Sequence, residues 1–111
     1  MKLDLDVLPI KYWNDKTKIE YLQRRIIIYS IMYYELNESC ITDKDYDYLS
    51  KQLLLLMNNT NKSILEKSQY YYCMYDYDGN TGYDLFSRLN KNDKDYLFNL
   101  ANHILKLYKG G

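Results

Sequence analysis

A chain of 111 residues that is 47% hydrophobic and 27% charged is sized for one soluble domain with a modest core, not for a disordered segment. Its 15 basic and 15 acidic side chains cancel, which removes the global field that would hold a nucleic-acid backbone or an anionic membrane, so neither is an expected partner. No apolar run approaches the roughly 18 residues of a membrane helix, and "MKLDLDVLPIKYW" carries acids where a signal peptide needs an apolar stretch. Cys40 and Cys73 stand far apart and His103 is the only histidine, so free thiols, no disulfide framework, no metal site and a cytoplasmic location are expected.

Leu3, Leu5 and Val7 alternate with charges ahead of the only proline, Pro9, and the only tryptophan, Trp13. This reads as an extended arm over residues 1–16, anchored by Trp13. A helix over 17–36 follows. Thr17 and Glu20 in "TKIE" form a capping box, and Ile19, Leu22, Ile26, Tyr29, Tyr33 and Leu36 recur at spacings of three and four. Ile27, Ile28, Ile31 and Met32 widen the stripe, which predicts a helix packed on more than one side. Lys16, Lys18, Arg24 and Arg25 read as its solvated face.

"NESC" interrupts the pattern, since Asn and Ser compete locally for backbone hydrogen bonds. Thr42 then caps a second helix with Asp43 and Asp45 in its first turn and Tyr46, Leu49, Leu53 and Leu56 as its stripe. The pair is a helical hairpin over 17–57.

"NNTNKS" is the internal linker, and "SILE" at 63–66 is a second capping box. "QYYYCMYDYDGNTG" either continues as helix or extends until Gly79 and Gly82 stop it. Thr81 and Asp84 cap a short helix through Leu89, and "NDKD" opens a last helix carrying Leu97, Leu100, Ile104 and Leu107, which completes a C-terminal helical half over 63–109. The expected fold is mainly α: a small single-domain helical bundle built on an N-terminal helical hairpin, with an extended N-terminal arm.

Tyrosine fills 15 positions, several times an average share. An AT-rich coding sequence would supply some of it, and so would half-buried positions, ligand pockets and interfaces that use an apolar ring with a polar tip.

One tyrosine-containing stretch has a specific spacing. "YYELNESCITDKDYDYL", residues 33–49, resembles the N-terminal subdomain of bacterial NAD-dependent DNA ligases, the two-helix piece that grips the nicotinamide mononucleotide half of NAD. In that family a Tyr-His pair ends the first helix; after a short loop come Ile, then Ser or Pro, then Asp-x-x-Tyr-Asp-x-Leu opening the second. Tyr33, Asp43, Tyr46 and Asp47 fall on family positions, and Tyr34 replaces the histidine. The resemblance covers about residues 20–57 and implies a nicotinamide-nucleotide site of Tyr33, Tyr34, Asp43, Tyr46 and Asp47, with NAD or its mononucleotide as ligand. It does not extend to catalysis. The nearest string to the family's Lys-x-Asp-Gly nucleophile is "DYDG", which places Asp76 where the lysine would stand, so a non-catalytic module is expected.

The chemistry of the set suits that ligand. An aromatic face attracts the pyridinium cation by about 0.5–2 kcal/mol, and Asp43 and Asp47, four apart on one helical face, present acceptors for ribose hydroxyls. The same residues also serve a plainer purpose, because acids in a first helical turn stabilise it by about 0.3–1 kcal/mol each and Tyr33 and Tyr46 lie on the apolar stripes.

A second candidate is the segment 70–84, where Tyr70, Tyr71, Tyr72, Tyr75, Tyr77 and Tyr83 lie among Asp76, Asp78 and Asp84. Rigid aromatic anchors with carboxylates suit a protein interface facing a basic groove. On this reading the protein is a small, phage-encoded inhibitor or adaptor that occupies a nucleic-acid enzyme such as a host ligase or a CRISPR nuclease. "DYDGNTG" is a turn and not a calcium loop, since counting from Asp76 puts Thr81 at the EF-hand glycine position and Ser87 at its bidentate glutamate. His103, between Leu100 and Ile104, lacks a partner acid or thiol nearby in sequence.

Overall fold

Ile26 to Met32 are seven consecutive residues, all buried, and a helix buried around its full circumference has to lie at the centre of whatever surrounds it. That helix is α1 (Asp15–Tyr34). In the computed structural model, which describes residues 13–79 and 82–110, α2 (Asp43–Asn59) and α6 (Lys91–Gly110) flank α1. Three one-turn helices connect them: α3 (Lys62–Leu65), α4 (Tyr71–Met74) and α5 (Leu85–Arg88). The described residues form a mainly α architecture, and none of them is in a strand. No helix among them is long and apolar enough to cross a membrane.

The start of α1 corrects the expected one. Asn14 caps the helix by accepting from the Thr17 amide at 2.8 Å, so Thr17 is inside the first turn and the helix begins at Asp15. Glu20 is therefore not a capping-box partner. Its carboxylate accepts from the Gln69 amide at 2.9 Å and pairs with Lys16 at 3.2 Å. The arm predicted over 1–16 lies outside the described residues up to position 12; Trp13 packs edge-on against Tyr21 with centroids 5.5 Å apart, and 15 and 16 are helical. Arg25, expected on a solvated face, is half-buried with its guanidinium 5.3 Å from the Tyr21 ring centroid.

At its other end α1 stops at Tyr34, two residues early. Asn37 takes the left-handed conformation, φ 53°, which Asn tolerates better than most residues. The chain turns back there, and the Glu38 amide reaches the Met32 carbonyl at 2.8 Å. Thr42 caps α2 through the Asp45 amide as its sequence suggests, and Leu49, Ser50 and Leu53 face the core.

The connection from α2 to α6 is pinned to α1 by polar contacts. Asn61 caps α3 by accepting from both the amide and the hydroxyl of Ser63, replacing the capping box expected at 63–66. Buried Gln23 of α1 donates to the Ser68 hydroxyl at 3.1 Å and accepts from the Tyr70 amide at 3.3 Å. The tyrosine-rich stretch is then neither long helix nor strand but a single turn, α4, whose Cys73 and Met74 are buried. Asp84 stands at the N-cap of α5 without capping it, and Thr81 lies outside the described residues. Asn90 caps α6 through the Asp93 amide at 2.8 Å. Leu97, Ala101 and Leu105 form the buried line of α6. That spacing of four turns Leu107 outward, 63% exposed, against its expected place in the stripe. Cys40 and Cys73 are free and buried.

Candidate functional site

The hairpin fold brings the end of α1 and the start of α2 to the same edge of the molecule, and a cavity of about 340 Å³ lies between them. Tyr29, Ser30, Tyr33 and Tyr34 line it from α1, Ser39, Ile41 and Thr42 from the loop, and Asp43, Tyr46 and Asp47 from α2; Gly82, ahead of α5, also lines it. All five residues selected by the ligase-like spacing are among these. The helical period explains why: positions 30, 33 and 34 share one face of α1, and 43, 46 and 47 share one face of α2.

Gly82 is where the C-terminal half meets the site. A Cβ on it would lie 1.9 Å from Ser30 Oγ and 2.8 Å from the Tyr46 hydroxyl, so only a residue without a side chain can approach this closely.

A directed chain of hydroxyls runs from the core to the cavity. Ser30 Oγ donates to the Ile26 carbonyl at 2.8 Å, which leaves the Ser30 oxygen to accept at 3.1 Å from the Tyr46 hydroxyl. The Tyr46 oxygen in turn accepts from Tyr77 at a longer, weaker 3.3 Å, and the Tyr77 oxygen accepts from Ser50 at 2.8 Å. Each proton in this chain is committed toward Ile26, so Tyr46 meets the cavity as an acceptor with a lone pair to spare. Burial pushes the Tyr77 phenol well above its ordinary value, the Ser50 hydrogen bond partly offsetting it. The Tyr29 hydroxyl is buried and meets no partner at full hydrogen-bond geometry among the described residues. Burial raises its pKa to about 12, and the nearby Arg25 charge opposes the rise.

The charge of the site is one-sided. Asp43 and Asp47 are exposed and take part in none of the ion pairs among the described residues, and no Lys or Arg among the described residues lines the cavity. Tyr33 and Tyr34 pack edge to face at 4.9 Å, and Tyr83 extends the aromatic rim by packing edge-on against Tyr34 at 5.5 Å.

The second candidate, segment 70–84, is divided by the fold. Tyr70 and Tyr77 are buried, which corrects the expectation of an exposed surface at those two positions: the Tyr70 ring enters the core beneath α1, and Tyr77 is held by Ser50 and Tyr46. Tyr72 donates to Asp93 and accepts from the Asn90 amide, tying α4 to the start of α6. Asp76 and Asp84 both close on Arg88, at 2.5 and 3.0 Å, and Arg88 also donates to the Cys73 carbonyl at 3.3 Å. The guanidinium hydrogen bond holds the Asp76 carboxyl below its usual range. Tyr75 and Tyr83 are 59% and 71% exposed, and Asp78 is exposed as well.

Tyr29, Ser30 and Gly82, with Ser39, Ile41 and Thr42 of the loop, also line the cavity and were not selected from the sequence as site residues. A signal for Ser30 exists. It is the one polar residue in "IIIYSIM", and it stands three and four positions before Tyr33 and Tyr34, on their face. For Gly82 no local signal exists, since its neighbours in space are far away in the chain. Among the described residues no three His, Cys, Asp or Glu side chains gather as a metal ion would need. Comparison with known proteins finds no matching family model, no matching curated protein and no matching solved structure.

Proposed function

We propose that this protein is a non-catalytic module that binds the nicotinamide–ribose half of NAD or of nicotinamide mononucleotide in the cavity at the α1–α2 edge. One observation carries the reading: Tyr33, Tyr34, Asp43, Tyr46 and Asp47, selected by a ligase-like spacing in the sequence, line a single cavity. Its volume of about 340 Å³ falls within the usual range of about 300–1,000 Å³ for small-molecule sites. The tyrosine rings suit a flat cation, and the carboxylates with the Tyr46 oxygen suit the donor hydroxyls of a ribose. The competing reading, an inhibitor or adaptor docking a nucleic-acid enzyme through 70–84, draws less support, because Tyr70 and Tyr77 belong to the core and Asp76 and Asp84 are engaged by Arg88.

Titration calorimetry with NAD and with the mononucleotide tests the proposal. Binding is expected, and Asp47→Ala should remove most of it without unfolding the protein, since Asp47 is exposed and outside the ion pairs among the described residues. No heat and no amide chemical-shift change at millimolar ligand would reduce the cavity to a structural feature of the hairpin.

A further inference from the structure

We infer that the cavity selects its ligand by charge, taking the cationic nicotinamide riboside in preference to the phosphorylated mononucleotide and to the reduced, uncharged riboside. This rests on the nicotinamide reading above and narrows it.

The charge that the described lining presents is negative. Asp43 and Asp47 contribute two carboxylates, no Lys or Arg among the described residues lines the cavity, and the hydroxyls of Ser30 and Tyr46 have their protons committed along the chain to the Ile26 carbonyl. Such a lining accepts hydrogen bonds from ribose hydroxyls and attracts a pyridinium, and among the described residues it offers a phosphate no cationic side chain. Among the described residues, the start of α2 would attract an anion through its free amides and dipole. That attraction is already answered by the chain itself, since Asp43 and Asp45 occupy the first turn and Thr42 takes the Asp45 amide. A phosphate brought there adds two negative charges beside two carboxylates. The aromatic contribution points the same way, because the quadrupole of a tyrosine face attracts a pyridinium and has no such hold on the neutral dihydropyridine.

The test is a titration of the full chain with nicotinamide riboside, nicotinamide mononucleotide and reduced nicotinamide riboside, followed by calorimetry and amide chemical shifts, at low and at moderate salt. The riboside cation is expected to bind about three- to tenfold more tightly than the mononucleotide at low salt, with the gap narrowing as salt screens the carboxylates. The reduced riboside should bind more weakly than the oxidised one. Asp43→Asn with Asp47→Asn keeps the shape and removes the charge, so in that variant the oxidised riboside and the mononucleotide should converge. Tighter binding of the mononucleotide, equal binding of the two redox forms, or a preference that survives the double Asn variant would each overturn charge selection while leaving nicotinamide binding intact. Failure of all three ligands to bind would overturn the nicotinamide reading and this inference together.

Discussion

Asp43 and Asp47 at the α1–α2 edge face a cavity and enter none of the ion pairs among the described residues, whereas Asp76 and Asp84 on either side of the Gly79 turn both close on Arg88. The tyrosines divide the same way. Tyr33 and Tyr34 form a rim around open space, while Tyr70 and Tyr77 are core and Tyr72 is tied to Asp93. Two segments of almost the same residue types thus end in different states: Arg88 and Asp93 engage Asp76, Asp84 and Tyr72 from within the fold, whereas no ion pair among the described residues engages Asp43 or Asp47. Tyrosine–aspartate composition marks a site only where the fold leaves its carboxylates facing open space.

Breaking the shared support should remove both regions at once. Helix α2 carries Asp43, Tyr46 and Asp47 on one face and, through Ser50 and Leu54, holds Tyr77 and the Gly79 turn. Leu53 is fully buried between them, so Leu53→Asp places an unpaired charge in the core and should cost roughly 4 kcal/mol or more. That is a large part of the roughly 5–15 kcal/mol expected for a domain. Urea unfolding would show it, and a midpoint equal to that of the unchanged protein would refute the placement of α2.

Two glycines separate the regions more finely. Gly82→Ala drives a methyl group into Ser30 and Tyr46 and should cost about 1–3 kcal/mol through overpacking, with the cavity closed to ligand. Gly79 has φ 86°, and a Cβ there crowds the flexible end of Leu54 at 2.7 Å while meeting Ser50 at an ordinary 3.8 Å. Gly79→Ala should cost about 1–2 kcal/mol from the left-handed backbone and leave ligand titrations unchanged. If both variants lose ligand response to the same degree, the cavity is not specifically built around position 82.

Tyr77→Phe tests the link between the regions. Removing one hydroxyl leaves Ser50 without its acceptor and Tyr46 without its donor, worth about 1–2 kcal/mol at a buried site. Shifts in the Tyr46 and Ser30 amide resonances should accompany the loss of stability. Unmoved Ser30 signals would mean that the 3.3 Å contact between Tyr77 and Tyr46 transmits nothing to the cavity.

How far these arrangements could be read from the chain follows from the range of the interactions involved. The hairpin and the cap at Thr42 are local, encoded by apolar spacing and by residues within one turn of each other, and were legible. So was the grouping of Tyr33, Tyr34, Asp43, Tyr46 and Asp47, because a short loop forces two helix ends together. The start of α1 was misread through a true competition, since Asn14 and Thr17 are both good caps and Glu20 is drawn away by the Gln69 amide 49 positions along the chain. The segment 70–84 was misread because its tyrosines have no periodic sorting into buried and exposed; that sorting is imposed by Gln23, Ser50 and Arg88, which lie elsewhere in the sequence.

The smallest expected effect concerns Arg88 itself. Arg88→Gln releases Asp76 and Asp84, and because these groups are at the surface only a slight fall in melting temperature is expected at neutral pH. The pH dependence is the sharper reading. Arg88 holds the Asp76 pKa below its ordinary 3.8, so folding favours the ionised form, and this contribution is present above about pH 3.8 and lost as pH falls through the lowered value. In the variant Asp76 reverts toward its ordinary range and the contribution is missing at every pH. The difference in melting temperature between the unchanged protein and Arg88→Gln should therefore be largest above pH 4 and shrink on acidification toward pH 2. A difference independent of pH would assign the role of Arg88 to its bond with the Cys73 carbonyl and its packing near the Tyr75 ring, 6.0 Å from the centroid. The hold of Arg88 on this region would then rest on its backbone contact and packing and not on the carboxylates.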